Sequence, residues 1–165
     1  MQYQIIQQAL KEIIEAHISG LTFVTGLESE IDTARVQYPI VYLQPPASTL
    51  ALSSESLGAD IWQIHLQSQE LLSQESSTED KQAALNRTRD NLKDIVHQFV
   101  YMYGREGREI TVNNRTESLD FKTTTTGIMT PFIDKGANVT GHMIDFSIQE
   151  EGREDLCHLA NTFGE

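Results

Sequence analysis

The stretch Ala59-Asp60-Ile61-Trp62-Gln63-Ile64-His65-Leu66-Gln67-Ser68-Gln69 decides the fold class. Trp62, Ile64 and Leu66 alternate with Gln63, His65, Gln67 and Gln69, so an extended chain sends the apolar set to one face and the amides to the other. One face belongs to a core, and the other is a glutamine ladder.

Toward the C-terminus, the pattern changes from a period of two to a helical one. Ser76 precedes Glu79 by three residues, the spacing of a capping box, and acids fill the first turn. A helix is predicted over 78–103. Leu85, Leu92, Ile95, Val96, Phe99 and Tyr103 form its apolar stripe, and Lys81, Arg87, Arg89, Asp90, Lys93 and Asp94 lie outside it. Gly104 ends it. Beyond Gly107 the alternation returns: Ile110 and Val112, then Leu119, Phe121 and Thr123, then Ile144, Phe146 and Ile148. With turn signals at Asn113-Asn114 and Asp134-Lys135-Gly136, this half reads as antiparallel sheet. A last short helix is predicted over 153–161.

Toward the N-terminus, Ile40-Val41-Tyr42-Leu43-Gln44 is a β-branched and aromatic strand opened by Pro39 and expected to stop at Pro45-Pro46. The serine-rich residues up to 58 have no strong period and read as a long exposed connection or the arm of a hairpin. Residues 26–37 are acidic and irregular, and Leu21 to Thr25 is a weak strand. Ile6, Leu10, Ile13, Ile14 and His17 recur at helical spacing, which predicts an amphipathic helix over 3–18 closed by Ser19-Gly20. The expectation is one α+β domain over 1–165. Its mixed, mostly antiparallel sheet is packed by an N-terminal helix and a long central helix, and 45–58 projects as a loop or arm.

Composition narrows the function classes. A chain of 165 residues buries roughly 70% of its unfolded surface, enough for a two-layer core. A net charge of −12 argues against a phosphate-gripping surface, which needs clustered Lys and Arg; it reads first as an ordinary solvated acidic surface and second as one that lets DNA pass without sticking. The lone Cys157 rules out an internal disulfide and a thiolate metal cluster within one chain. The residues from Met1 to Ile18 lack a basic region followed by a continuous apolar run, so synthesis in the cytosol is expected. The acceptor patterns at Asn86, Asn114 and Asn138 are then coincidental.

No chemistry-bearing constellation emerges. His17, His65, His97, His142 and His158 fall in different blocks without ligand spacing, so no metal site, cofactor site or catalytic residue is expected. Cys157 and His158 are adjacent and point about 100° apart on a helix, which prevents a nucleophile–base pair. Asp90 and Asp94 sit among Arg87, Arg89 and Lys93 and read as a solvated face. Gly104-Arg105-Glu106-Gly107 follows a helix and precedes a strand, the reverse of a phosphate cradle. Thr123 to Thr126 alternate faces in a strand and read as strand formers, and Trp62 reads as core.

Taken together, the blocks resemble the tail-terminator, tail-completion and head-to-tail connector proteins of tailed double-stranded DNA phages. The resemblance is carried by the opening helix from Ile5 to Ile18, by Tyr38-Pro39-Ile40-Val41-Tyr42-Leu43, by Ile61 to Gln69 leading into the long helix, and by the segment from Asp134 to Phe146. It implies a non-enzymatic virion protein of the neck or tail, made in the host cytoplasm, that forms a homo-oligomeric ring of six or twelve copies. Its neighbours would be neck, portal or tail-tube proteins, and DNA would pass through the lumen without specific binding. It involves no membrane. The arm at 45–58 would contact a neighbouring subunit or the next ring. A second reading is a soluble adaptor that grips a host or scaffold protein with the amide face of 63–69 and the loop 45–58. A third is a small hydrolase using Asp, His and Ser residues distant in sequence.

Overall fold

The computed structural model describes residues 3–26, 36–51, 59–73, 75–105, 107–123, 127–134, 136 and 138–150. Its central event is the pairing of the quoted strand, β3 (Ala59–Leu71), with β8 (Val139–Glu150). The antiparallel register runs from Ile61 opposite Gln149 to Leu71 opposite Val139. Both strands alternate, so Trp62, Ile64 and Leu66 share one face with Ile144, Phe146 and Ile148, all buried.

The helices cover that face. α1 (Tyr3–Glu15) buries Ile5, Ile6, Ala9, Leu10, Ile13 and Ile14, and α2 (Thr78–Phe99) buries Leu92, Ile95 and Phe99. Outward from β3 on one side stand β2 (Ile40–Ala51) and then β1 (Thr22–Thr25), which pairs with β2 in parallel. On the far side of β8, β6 (Phe121–Thr123) and β7 (Ile128–Asp134) share its other edge. A separate hairpin of β4 (Arg108–Val112) and β5 (Arg115–Leu119) sends Ile110 and Leu119 into the same core. Asn113 and Asn114 both have positive φ, 52° and 64°, as a two-residue I′ hairpin turn requires. The α+β class with a mostly antiparallel sheet is as expected.

Four boundaries differ from the sequence reading. α1 ends at Glu15 instead of 18: the chain turns through a His17-to-Gly20 hydrogen bond with Gly20 at φ 62°, which leaves Ile18 fully exposed. Pro45-Pro46 does not stop β2. The register slips there by one residue, from Gln44 opposite His65 to Ala47 opposite Gln63, and a bulge is where the sheet tolerates residues that cannot donate. The helix cap is Ser77, whose hydroxyl accepts from the Asp80 amide while the Asp80 carboxylate accepts from the Ser77 amide. The Ser77 hydroxyl, 2.7 Å from the Asp80 carboxylate and donating to it, and then the Ser77 amide hold the Asp80 carboxyl below its usual pKa. Finally, the long helix passes at Val100–Arg105 into a π-helical turn, which winds Tyr103 inward. There Tyr103, Phe121 and Phe146 surround Phe99 at ring-centroid distances of 5.7, 4.9 and 6.3 Å. The helix expected at 153–161, the acidic stretch 27–35 and the tip 52–58 lie outside the described residues.

Two substitution pairs test this account. Ser77→Ala should cost about 1 kcal/mol in urea unfolding, the value of an N-cap, whereas Ser76→Ala should leave the midpoint unchanged. A Cβ on Gly141 would overlap the Ser68 carbonyl oxygen and lie 2.9 Å from the Phe132 ring, so Gly141→Ala should cost about 3 kcal/mol. At Gly20 the added carbon meets nothing within 4 Å, so only the positive φ counts and Gly20→Ala should cost about 1 kcal/mol.

Candidate functional site

The face of β3 and β8 that the helices do not cover is built of amides. Gln69 donates to the Gln67 carbonyl oxygen at 2.9 Å, Gln67 Nε2 meets His65 Nε2 at 2.9 Å, and His65 Nδ1 meets an Asp145 oxygen at 2.6 Å. With Gln67 Nε2 donating, His65 accepts at Nε2 and carries its proton on Nδ1, where Asp145 accepts it. Beside this chain the Ser147 hydroxyl donates to Gln63 at 2.7 Å. Each amide thus holds the next side chain of the row in place. The result is a patterned polar wall in which Ser147 is buried and the other side chains named are half-buried or exposed.

On the covered face the same strands meet the N-terminal half of α2 through a polar seam. Thr88, Asn91, Ser68 and His142 are buried there. The Thr88 hydroxyl donates to the Leu85 carbonyl, so it accepts from His142 Nδ1 at 3.1 Å and fixes the tautomer of that ring. Burial, with the Arg89 charge acting in the same direction, pulls the His142 pKa below the usual histidine value. Asn91 accepts from the Ser19 hydroxyl at 3.2 Å, which ties α2 to the turn after α1. At the rim Arg87 forks onto Glu70, with contacts of 3.1, 3.3 and 2.7 Å.

The third surface is the hairpin of β2 and β3. Past Leu43 the outer edge of β2 pairs with no strand among the described residues, although β2 continues to Ala51. Ala47, Ser48 and Thr49 on this edge are exposed, and no charged residue occurs from Ala47 to Ala51. At the opposite rim β7 presents Ile128 and Ile133, 74% and 54% exposed, with Pro131 between them.

The chain matches no protein-family model and no curated protein. The residues singled out in the sequence therefore rest on geometry alone. His65 joins Asp145, a partner 80 positions away, and no sequence signal announces it: only the register of β3 on β8 creates the pair. Gln67 occupies the ring nitrogen at which a catalytic triad would hold its nucleophile. His17 lies 3.8 Å from Asp94, and His97, Asp90 and Asp94 are exposed along α2. Gly104 packs on Phe121 in the π turn. Trp62 is buried in the core, and its indole N–H has no hydrogen-bond partner among the described residues. Thr123 is exposed at the end of β6, while 124–126, Glu106, Cys157 and His158 lie outside the described residues. Among the described residues no group of three His, Cys, Asp or Glu side chains could hold a metal ion, and no helix is long and apolar enough to cross a membrane.

The His142 environment fixes a pH dependence. The unfolded chain binds a proton at about pH 6.5 that the folded chain resists, so stability is full above that pH and declines as the pH falls below it. The urea midpoint should drop between pH 7.5 and pH 5.5, and His142→Gln, which keeps a donor for Thr88, should flatten that drop. An equal slope in both proteins would remove His142 as its source.

Proposed function

We propose that the protein is a non-enzymatic structural component of a tailed-phage neck or tail, acting as a tail terminator, completion protein or head-to-tail connector. Copies of the chain join into a closed ring around the DNA path. The observation that carries this reading is the β2–β3 hairpin, whose outer edge is exposed from Ala47 to Thr49, carries no charged residue to Ala51 and pairs with no strand among the described residues. Strand edges of isolated proteins are commonly blunted by charge or by a cover, and an edge left plain suits addition of a further strand.

Two further features support it. The two rims of the sheet differ, plain along β2 and proline-bearing along β7, so joining one rim to the other is a head-to-tail contact, the type that generates rings. The amide wall of Gln63, His65, Gln67 and Gln69 offers no Lys or Arg to phosphates, and the chain carries a net charge of −12. DNA in contact with such a surface slides without being gripped.

Native mass spectrometry with negative-stain imaging tests the reading. Closed homo-rings of one defined order are expected. The double substitution of Ser48 and Thr49 by Lys should abolish them while the far-ultraviolet circular dichroism stays unchanged. A chain that remains monomeric at high concentration and enters no particle, or one that forms a fixed heterocomplex with a single partner in place of rings, overturns the assembly reading. The second outcome would make the protein an adaptor.

A further inference from the structure

α1 lies over β1 and β2, and α2 over β3 and β8, so among the described residues the outermost strand β7 has no helix above it on that face of the sheet. Between α2 and β7 runs a groove of about 530 Å³. Its floor is Ile144 and Phe146, and its walls are Val96 and Val100 on the helix side and Met129 on the strand side. Pro131 and Ile133, both exposed, continue the apolar wall along β7 on the face shared with Met129.

The charges of α2 are sorted by flank. Arg89, Lys93 and His97 follow one another at intervals of four, so they form one row, and all three are exposed. That row borders the groove: Lys93 and His97 line it, and the Arg89 charge acts on His142, which pairs with Pro131 of β7. Asp94 lies on the other flank, 3.8 Å from His17. Arg87 is taken up by Glu70, whereas Arg89 and Lys93 have no acidic partner among the described residues. No Asp or Glu among the described residues lines the groove. A chain with a net charge of −12 thus sets a basic row along an apolar trough.

The two walls select an occupant with two edges. The floor and the β7 wall take apolar side chains, and the α2 rim takes carboxylates, which no acid in the groove repels. A helix with apolar residues at i, i+3, i+4 and i+7 and acids on the adjoining flank has both edges. Between Arg89 and Val100 α2 rises about 17 Å, so a partner of about three turns matches its length.

We infer that this groove is a docking site for an acidic amphipathic helix of a partner protein. The helix lies beside α2 and over β7, with its apolar stripe on Ile144, Phe146 and Met129 and its carboxylates against Arg89 and Lys93. The site is on the helix-bearing face of the sheet, opposite the amide wall, and it requires neither a ring nor a phage particle.

Fluorescence anisotropy with the full chain tests it. The probe is a fluorescein-labelled peptide of about 14 residues, with leucine at the stripe positions and glutamate elsewhere. Saturable binding is expected, and a peptide of the same composition in scrambled order, or one with lysine for every glutamate, should not bind. Arg89→Glu with Lys93→Glu should weaken binding at least about tenfold, and Ile133→Asp should weaken it as well. Lys11→Glu with Arg115→Glu makes the same change in net charge at exposed positions of other elements and should leave binding unaltered. Absence of peptide binding overturns the inference, as does equal binding of the scrambled or lysine peptide, or equal weakening by the control pair. A short DNA duplex that binds the native chain and is lost in the Arg89→Glu, Lys93→Glu protein would assign the row to nucleic acid and overturn it too. Conversion of homo-oligomers to monomers by that same pair would assign the groove to a second copy, with the same result. A native chain that stays monomeric and binds the peptide removes the ring and keeps the docking site.

Discussion

The rest of the structure depends on the register between β3 and β8. Setting Ile61 opposite Gln149 and Leu71 opposite Val139 places every even-numbered residue of both strands under the helices and every odd-numbered one on the far face. A slip of one residue would expose Trp62, Ile64 and Leu66 and bury the glutamines without partners, a loss far larger than any single contact provides. Gly141 guards that register from within. Its missing side chain is what lets the Ser68 carbonyl and the Phe132 ring close around the strand.

Under α2 the two ends of the interface differ in kind. At the C-terminal end, Phe99, Tyr103, Phe121 and Phe146 make a dense aromatic cluster. At the N-terminal end the helix lies on hydroxyls, an amide and an imidazole, with the Ser68 hydroxyl buried and without a partner among the described residues. Apolar burial does not hold this second end. It is held by directional bonds, Thr88 to His142 and Asn91 to Ser19, and each of these restricts the geometry more than it contributes in energy. The first part of α2 is thus the less firmly anchored, and the capping box at Ser77 and Asp80 offsets this by fixing where the helix starts.

Local patterns carried much of this into the sequence. The alternation in 59–69 named both faces of β3 correctly, and Asn113-Asn114 marked a tight turn because few residue types accept two successive positive φ values. The misreadings share one cause, tertiary context overriding a local signal. Pro45-Pro46 is a strand breaker taken alone, but β3 continues beside it and absorbs the prolines in a bulge. Thr88 and Asn91 belong to neither the apolar stripe nor the charged face read from the sequence, and they are buried because His142 and Ser19 satisfy them from other elements. The joining of His65 to Asp145 was unreadable for the same reason, since their separation in sequence is bridged only by sheet registry. Ser77 replaced Ser76 as the cap because neighbouring serines compete and only geometry selects between them.

The plain edge of β2 also has a consequence in time. A newly made chain presents an uncharged strand whose outer backbone donors and acceptors meet no other strand among the described residues, and such an edge does not discriminate among the strands it meets. On the proposed assembly, correct joining and clumping compete for the same surface, and protein concentration during synthesis decides between them. The bulge at Pro45-Pro46 acts on that competition. By adding local twist at the root of the hairpin, it makes the edge a poor match for a flat stack of identical strands.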